Sequence, residues 1–271
     1  PIGSRGLGDV YKRQEWLNKL GYDGPNPWND WANSAEGENG EILSGWRLRN
    51  SNKAARIPEK HSETAFMTNR AMEFIEESKD KPWFLHLSYI KPHWPYMAPA
   101  PYHNMYSANE FYPVHRNDAE RNNDHPVYKA FMENSISKTF SKDEVRNTVL
   151  SGYMGLIKQI DDNLGRLFKF LEDAGHMEDT MIVFTSDHGD YHGDHWLGEK
   201  ELFHEQSVRV PMIIYDPSEH ANKTRGTKEK RFIEAIDLLP TFLDAVESPV
   251  SKHRLEGNSL MPVIKGEDPK N

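Results

Sequence analysis

Thr180-Met181-Ile182-Val183-Phe184-Thr185-Ser186-Asp187-His188-Gly189-Asp190 is the stretch whose reading decides the fold. Met181 to Phe184 is a short apolar run rich in β-formers, reached through a long helical pattern and Gly175. Such a run predicts a strand buried on both faces of an α/β sheet. It ends in two residues able to ligate a metal, followed by a glycine. In open α/β sheets, ligands sit beyond the carboxyl ends of the strands. Asp187 and His188 therefore fall where chemistry is expected.

Working outward, the preceding helix is the clearest element. Val145, Val149, Tyr153, Leu156, Ile160, Leu164, Leu167 and Leu171 form one apolar stripe at helical spacing. Ser141-Lys142-Asp143-Glu144 matches a capping box at its start, and Gly175 closes it. Further upstream, Trp83 to Ile90 reads as a second strand, preceded by a helix that Ser62 caps, with Met67, Ala71, Phe74 and Ile75 at helical spacing. Pro99, Pro101, Pro113 and Pro126 break any long element over residues 97–140. Downstream, Val210 to Tyr215 reads as a third strand. Asp237 caps a last helix with Pro240 in its first turn and Phe242, Leu243 and Val246 facing inward. This alternation predicts an α/β fold, with a mainly parallel central sheet and helices on both faces.

Composition sets the outer limits. The chain has 271 residues and a net charge of -9, which argues against a general nucleic-acid binder. No run is long and apolar enough to span a membrane. Cysteine is absent, which excludes a disulfide framework, a thiolate metal site and a cysteine nucleophile within these residues. A cytoplasmic enzyme fits that usage. Residues 1–14, PIGSRGLGDVYKRQ, have no periodicity, open without Met and read as a non-native leader. Residues 15–271 then form one partial catalytic domain, incomplete at both ends. Between Glu15 and Pro58 the text is aromatic and loop-like, with Trp16, Trp28, Trp31 and Trp46. Such a loop is either functional or wants a larger body to pack on.

Several groups could carry chemistry. A carboxylate and an imidazole at Asp187-His188 suit an ion of intermediate hardness such as Mn²⁺, and tolerate Zn²⁺, Mg²⁺ or Ca²⁺. The loop Asp190-Tyr191-His192-Gly193-Asp194-His195 adds ligand-type groups. Its spacing is close to the HxHxDH pattern of metallo-β-lactamase-like hydrolases, with Asp190 in the first position. The competing reading places His192 and His195 behind the site or in solvent. Lys200, in Gly198-Glu199-Lys200, and His93, in Pro92-His93-Trp94-Pro95, read alone as a surface ion pair and a structural loop histidine.

Their joint occurrence changes that. Pro-His-x-Pro after one strand, Ser-Asp-His-Gly after another, then Gly-Glu-Lys and Arg209-Val210-Pro211 resemble the sulfatase family of the alkaline phosphatase superfamily. The resemblance is to its arylsulfatase and phosphonate monoester hydrolase branch and covers about residues 15 to 265. Residues 26–34 (NPWNDWANS), 61–65 (HSETA) and 98–102 (APAPY) look like that branch too.

The resemblance implies roles. Asp187 and His188 would be metal ligands, for one divalent Ca²⁺, Mn²⁺ or Mg²⁺. Many sulfatases have Asn where this chain has His188; His is typical of the phosphonate and phosphodiester branch. His93 would bind the transferring group or protonate the leaving oxygen. Lys200 would neutralise a non-bridging oxygen. A tetrahedral oxyanion needs such a set: a metal on one face, fixed cations on others and a proton donor at the leaving group.

One departure qualifies the match. The family's nucleophile is a Cys or Ser converted to formylglycine in a Cys/Ser-x-Pro/Ala-x-Arg motif, and two further Asp ligands lie earlier still. None of these is present in the chain. The expectation is an internal fragment carrying the later half of the site, from a metal-dependent hydrolase of small-molecule sulfate, phosphonate or phosphate esters that is a homo-oligomer at full length. The alternatives are a two-metal hydrolase built on the DxHxDH loop, and a sulfatase-like domain kept for binding alone.

Overall fold

The computed structural model describes residues 8–78, 81–107, 110–122 and 125–267. They fall into two compact units. The first runs through Phe170 and includes Asp190–Ser207; the second holds Leu171–Gly189 and the chain from Val208 onward.

In the first unit, helix α1 (Gly8–Lys19) begins inside the stretch read as a leader. Its Arg13 is buried and pairs with buried Glu63. Strands β1 (Ser34–Glu36) and β2 (Ile42–Ser44) form an antiparallel ladder with Ala35 opposite Leu43. Helix α2 (Glu63–Ser78) starts where Ser62 was expected to cap it: Ser62 Oγ accepts the Ala65 N–H at 3.2 Å. Its Thr64, Thr68, Ala71 and Ile75 are buried at helical spacing, so one face is turned to the core.

Two short helices, α3 (Pro126–Glu133) and α4 (Ser135–Phe140), lead into α5 (Asp143–Asp173). Asn134 caps α4 by accepting the Ser137 N–H at 2.8 Å. The expected capping box at Ser141 is spent differently. The Ser141 hydroxyl donates to Ser137 O at 2.9 Å and finishes α4. Val149, Leu156, Ile160, Leu167 and Leu171 of the α5 stripe are buried as the spacing requires.

Helix α5 presses on the main core of the first unit, where Phe140, Val149 and Leu156 meet Leu48, Tyr96, Ala98 and Tyr102. Gly152 permits that approach. A Cβ there would stand 2.3 Å from Ser51 O and 2.6 Å from Tyr96 O, both backbone atoms. Gly152→Ala is therefore expected to destabilise by about 2 kcal/mol despite its better helix propensity. Urea midpoints check this; an unchanged or higher midpoint would show that the helix can shift away.

The second unit contains the organising strand. β3 (Ile182–Thr185) pairs with β4 (Met212–Tyr215), with Val183 opposite Ile214. The pairing is antiparallel, and so is the β1–β2 ladder, so the expected parallel sheet is not what the described residues form. A parallel neighbour requires a crossover that returns the chain to the starting end, usually on a helix. Between β3 and β4 the only α-helix among the described residues is the single turn α6 (Glu205–Val208), and the chain re-enters beside the end it left. β3 is also half-buried along its length rather than covered on both faces. Residues 83–90 run extended, with Trp83, Leu85, Leu87 and Tyr89 half-buried and the residues between them exposed. They carry the alternation of a strand but join no ladder among the described residues.

The last helices are α7 (Leu238–Ala245) and α8 (Met261–Ile264). Asp237 accepts the Glu234 N–H at 2.9 Å and the Asn258 N–H at 2.8 Å, closing the turn ahead of α7. Val246, expected to face inward, is exposed just past the helix end.

Candidate active site

His93 closes the turn, centred on Lys91-Pro92, that ends the extended run 83–90. Its N–H donates to Ile90 O at 3.0 Å. Its ring Nδ1 lies 2.7 Å from Trp94 O, and a carbonyl can only accept, so Nδ1 carries the proton. The neutral ring then has its lone pair on Nε2. Lys200 Nζ lies 3.0 Å from that atom and donates to it. The structure thus joins two predicted site residues 107 positions apart.

The turn rests on a residue that motif reading passed over. Lys91 is buried, and its ammonium donates to Asn33 Oδ1 at 2.8 Å and to Pro95 O, bracing the turn from inside. Asn33 is itself held by donating to Trp28 O at 3.0 Å. Burial, and then the Arg13 charge, bring the Lys91 ammonium down from 10.5 to about 7. A folded-state value below the unfolded one means that the unfolded chain holds the extra proton between them. Stability should therefore rise as pH climbs from about 7 towards 10.5, and be lost as pH falls through about 7. The melting temperature of the wild type should gain on that of Lys91→Met between these limits. Parallel curves would show that Lys91 titrates as a solvated lysine. The available sequence signal was only its place, a lysine between an apolar run and Pro-His.

Lys200 is carried by a loop that hydrogen-bonds mostly to itself. Tyr191 N–H donates to Glu199 O at 2.7 Å, Gly193 N–H to Leu197 O at 2.8 Å, and Ser207 Oγ to Lys200 O at 2.6 Å. His192, His195, Trp196 and Glu199 all have positive φ, between 44° and 62°. Such residues cost roughly 1–3 kcal/mol each and persist where the surroundings over-determine them, often at functional sites. Burial, with Glu201 beside it, pushes the Glu199 carboxyl upward.

The ligand-type groups of this loop turn to separate partners. Asp190 Oδ2 accepts from Tyr96 OH at 2.7 Å and stands 3.4 Å from His192 Nε2. Burial pulls the His192 ring below the usual imidazole range, with Asp190 acting the other way. Asp194 accepts from the His115 N–H and from Gln206, while His195 Nδ1 lies on Glu120. Among the described residues no three His, Asp or Glu gather to hold a metal. The loop therefore supplies no assembled ligand set for a two-metal hydrolase.

In the second unit, Asp187 and His188 follow β3 directly. Asp187 Oδ1 accepts the His188 N–H at 3.0 Å, and Ser186 Oγ donates to His188 O at 2.9 Å. His188 Nδ1 lies 2.7 Å from Gly189 O and so carries its proton, leaving the Nε2 lone pair free to bind. Asp187 Oδ2 is 3.6 Å from that nitrogen. Two donors at roughly 2.0–2.4 Å from one ion stand about 3–4 Å apart, so the pair fits a divalent ion as two of its ligands. It does not complete a set.

Solved structures show the class of fold. The phosphonate monoester hydrolase of Silicibacter pomeroyi matches with a TM-score of 0.81 and 29% identity, over 100% of this chain and 53% of that one. The phosphonate monoester hydrolase of Agrobacterium radiobacter matches with a TM-score of 0.81 and 28% identity, over 96% and 51%. The fold is thus that of sulfatases and alkaline phosphatase-like hydrolases. The sulfatase family model matches residues 5–248, and the chain belongs to that family. A multifunctional alkaline phosphatase superfamily protein of Trinickia caryophylli is 36% identical over 79% of this chain, and an arylsulfatase of Clostridium perfringens 31% identical over 74%. The chain spans 43% and 42% of those two relatives.

Proposed function

We propose that this chain carries the later half of the site of a hydrolase acting on sulfate or phosphonate esters, and that a divalent metal ion assists it. The observation that supports this best is the Lys200–His93 contact at 3.0 Å. An ammonium and an imidazole at the tips of two loops form a two-point cradle for a tetrahedral anion. With Nδ1 fixed as a donor to Trp94, the proton that His93 gives or takes is the one at Nε2. In this reading Lys200 offsets charge on a non-bridging oxygen, and His93 binds the transferring group or protonates the leaving oxygen. Asp187 and His188 would hold Ca²⁺, Mn²⁺ or Mg²⁺, which when bound draws electron density from an ester oxygen. The nucleophile, formylglycine in this family, would come from outside these 271 residues. A small-molecule ester is the partner, and a cytoplasmic site of action and homo-oligomerisation of the whole enzyme are part of the proposal.

Anion binding tests it without turnover. Tungstate or phenylphosphonate, titrated against the chain, should shift the His93 ring resonances. Lys200→Ala should weaken that binding by at least about 10-fold, the value of one charge-assisted hydrogen bond. Binding that leaves His93 unshifted, or that survives Lys200→Ala unchanged, would assign the cradle elsewhere. Anion binding of normal strength with no hydrolysis in any longer form would favour a domain kept for binding alone.

A further inference from the structure

Lys200 is bracketed by His195 and His204, whose rings stack with centroids 4.1 Å apart and planes 16° apart. The stack closes the loop whose tip carries Lys200. We propose that His195 and His204 position Lys200 as a proton-sensitive clasp, closed while His204 is neutral and opened when it takes a proton.

Hydrogen bonding fixes the neutral form of His204. The Tyr191 hydroxyl accepts the His204 N–H at 3.2 Å and lies 2.9 Å from the ring Nδ1. Tyr191 is buried, and a neutral His204 with its lone pair on Nδ1 gives the hydroxyl proton an acceptor at 2.9 Å. A proton at Nδ1 removes that acceptor and strands the tyrosine hydroxyl. It also sets a positive ring face to face with His195.

Charged and titratable groups surround the stack. Glu120 Oε1 lies 2.8 Å from His195 Nδ1, on the far member of the stack. His115 meets His195 at 5.0 Å between centroids, and Tyr128 meets His204 at 5.7 Å. Arg116 and Arg121 lie over the Trp196 ring, and Asp194 is occupied by His115 and Gln206. Glu201 and Glu205 flank His204 in the chain. Burial, and then His195, hold the His204 ring below the usual imidazole range, with Glu120 acting the other way. A depressed imidazole stabilises the folded loop fully above about 6.5, the unfolded value. That contribution is lost as pH falls from there through the folded value.

The consequence for substrate rests on the reading of Lys200 given above; the loop movement does not. Amide hydrogen exchange of residues 191–207, corrected for intrinsic rates, should show protection falling about 10-fold or more between about pH 7.5 and pH 5. His204→Phe keeps a stacked ring without a basic nitrogen, and its protection should be flat over that range. Flat protection in the wild type, or an equal fall in His204→Phe, overturns the clasp. Should His204→Phe fail to fold, the wild type still decides. The Gly193, Leu197 and Gly198 amide resonances must move with the same midpoint as the His204 ring, and a separate midpoint overturns the proposal. Unaltered anion binding in Lys200→Ala would remove the role of Lys200 and leave the clasp standing.

Discussion

Loaded with Mn²⁺ and given nitrophenyl sulfate or nitrophenyl phenylphosphonate, these 271 residues are expected to release nitrophenol no faster than buffer does. Two shortages lead to this. The chain has no cysteine and no Cys/Ser-x-Pro/Ala-x-Arg motif, so the displacement cannot be split into two easier covalent steps. The pair Asp187 and His188 gives an ion two ligands where three or four protein groups are usual. A preparation with multiple turnovers, abolished by Asp187→Ala, would show that the chain contains its own nucleophile. Activity that appears on adding the nucleophile-bearing region of a relative, fused or in trans, would support a divided site.

In such an active form, Lys200→Ala should lower turnover by about 100-fold or more, the usual cost of removing one fixed donor from a developing oxyanion. The change should fall on kcat more than on KM, because negative charge on the non-bridging oxygens is what the ammonium meets in the transition state. His93 should behave differently. Once Lys200 is removed, its Nε2 loses the donor at 3.0 Å, so the double variant should cost less than the sum of the two single ones. Full additivity would mean that the two side chains act at separate places. A change confined to KM would mean that Lys200 binds substrate and transition state alike.

Much of this was legible in the chain. The period of the α5 stripe and the end signal at Gly175, which has φ of 76°, depend on local preferences that a sequence displays directly. The same holds for β3, where an apolar run ends in Asp187-His188. Strand direction was not legible, because it is set by where the chain re-enters after a long excursion rather than by the strand residues. Residues 83–90 show the other limit: alternation specifies an extended backbone but not a partner for it. The pairing of His93 with Lys200 was accessible only through the family motifs, since neither residue stands out alone. Lys91 was missed because a lysine is expected in solvent, and only the folded chain brings Asn33 and Pro95 O to its ammonium.

The roles of Asp187 and His188 can be separated from those of His93 and Lys200 by paramagnetic broadening. Mn²⁺ should be added in small steps while the imidazole signals of the chain are followed, in the wild type and in Asp187→Ala, His188→Ala and Lys200→Ala. Weak binding suffices, because a bound Mn²⁺ broadens nearby protons strongly even at low occupancy. The expected result is that the His188 signal broadens first in the wild type and in Lys200→Ala, and that this selectivity disappears in Asp187→Ala. Earlier broadening of His192, His195 or His204, or a loss of selectivity in Lys200→Ala equal to that in Asp187→Ala, would contradict the assignment of the metal ligands.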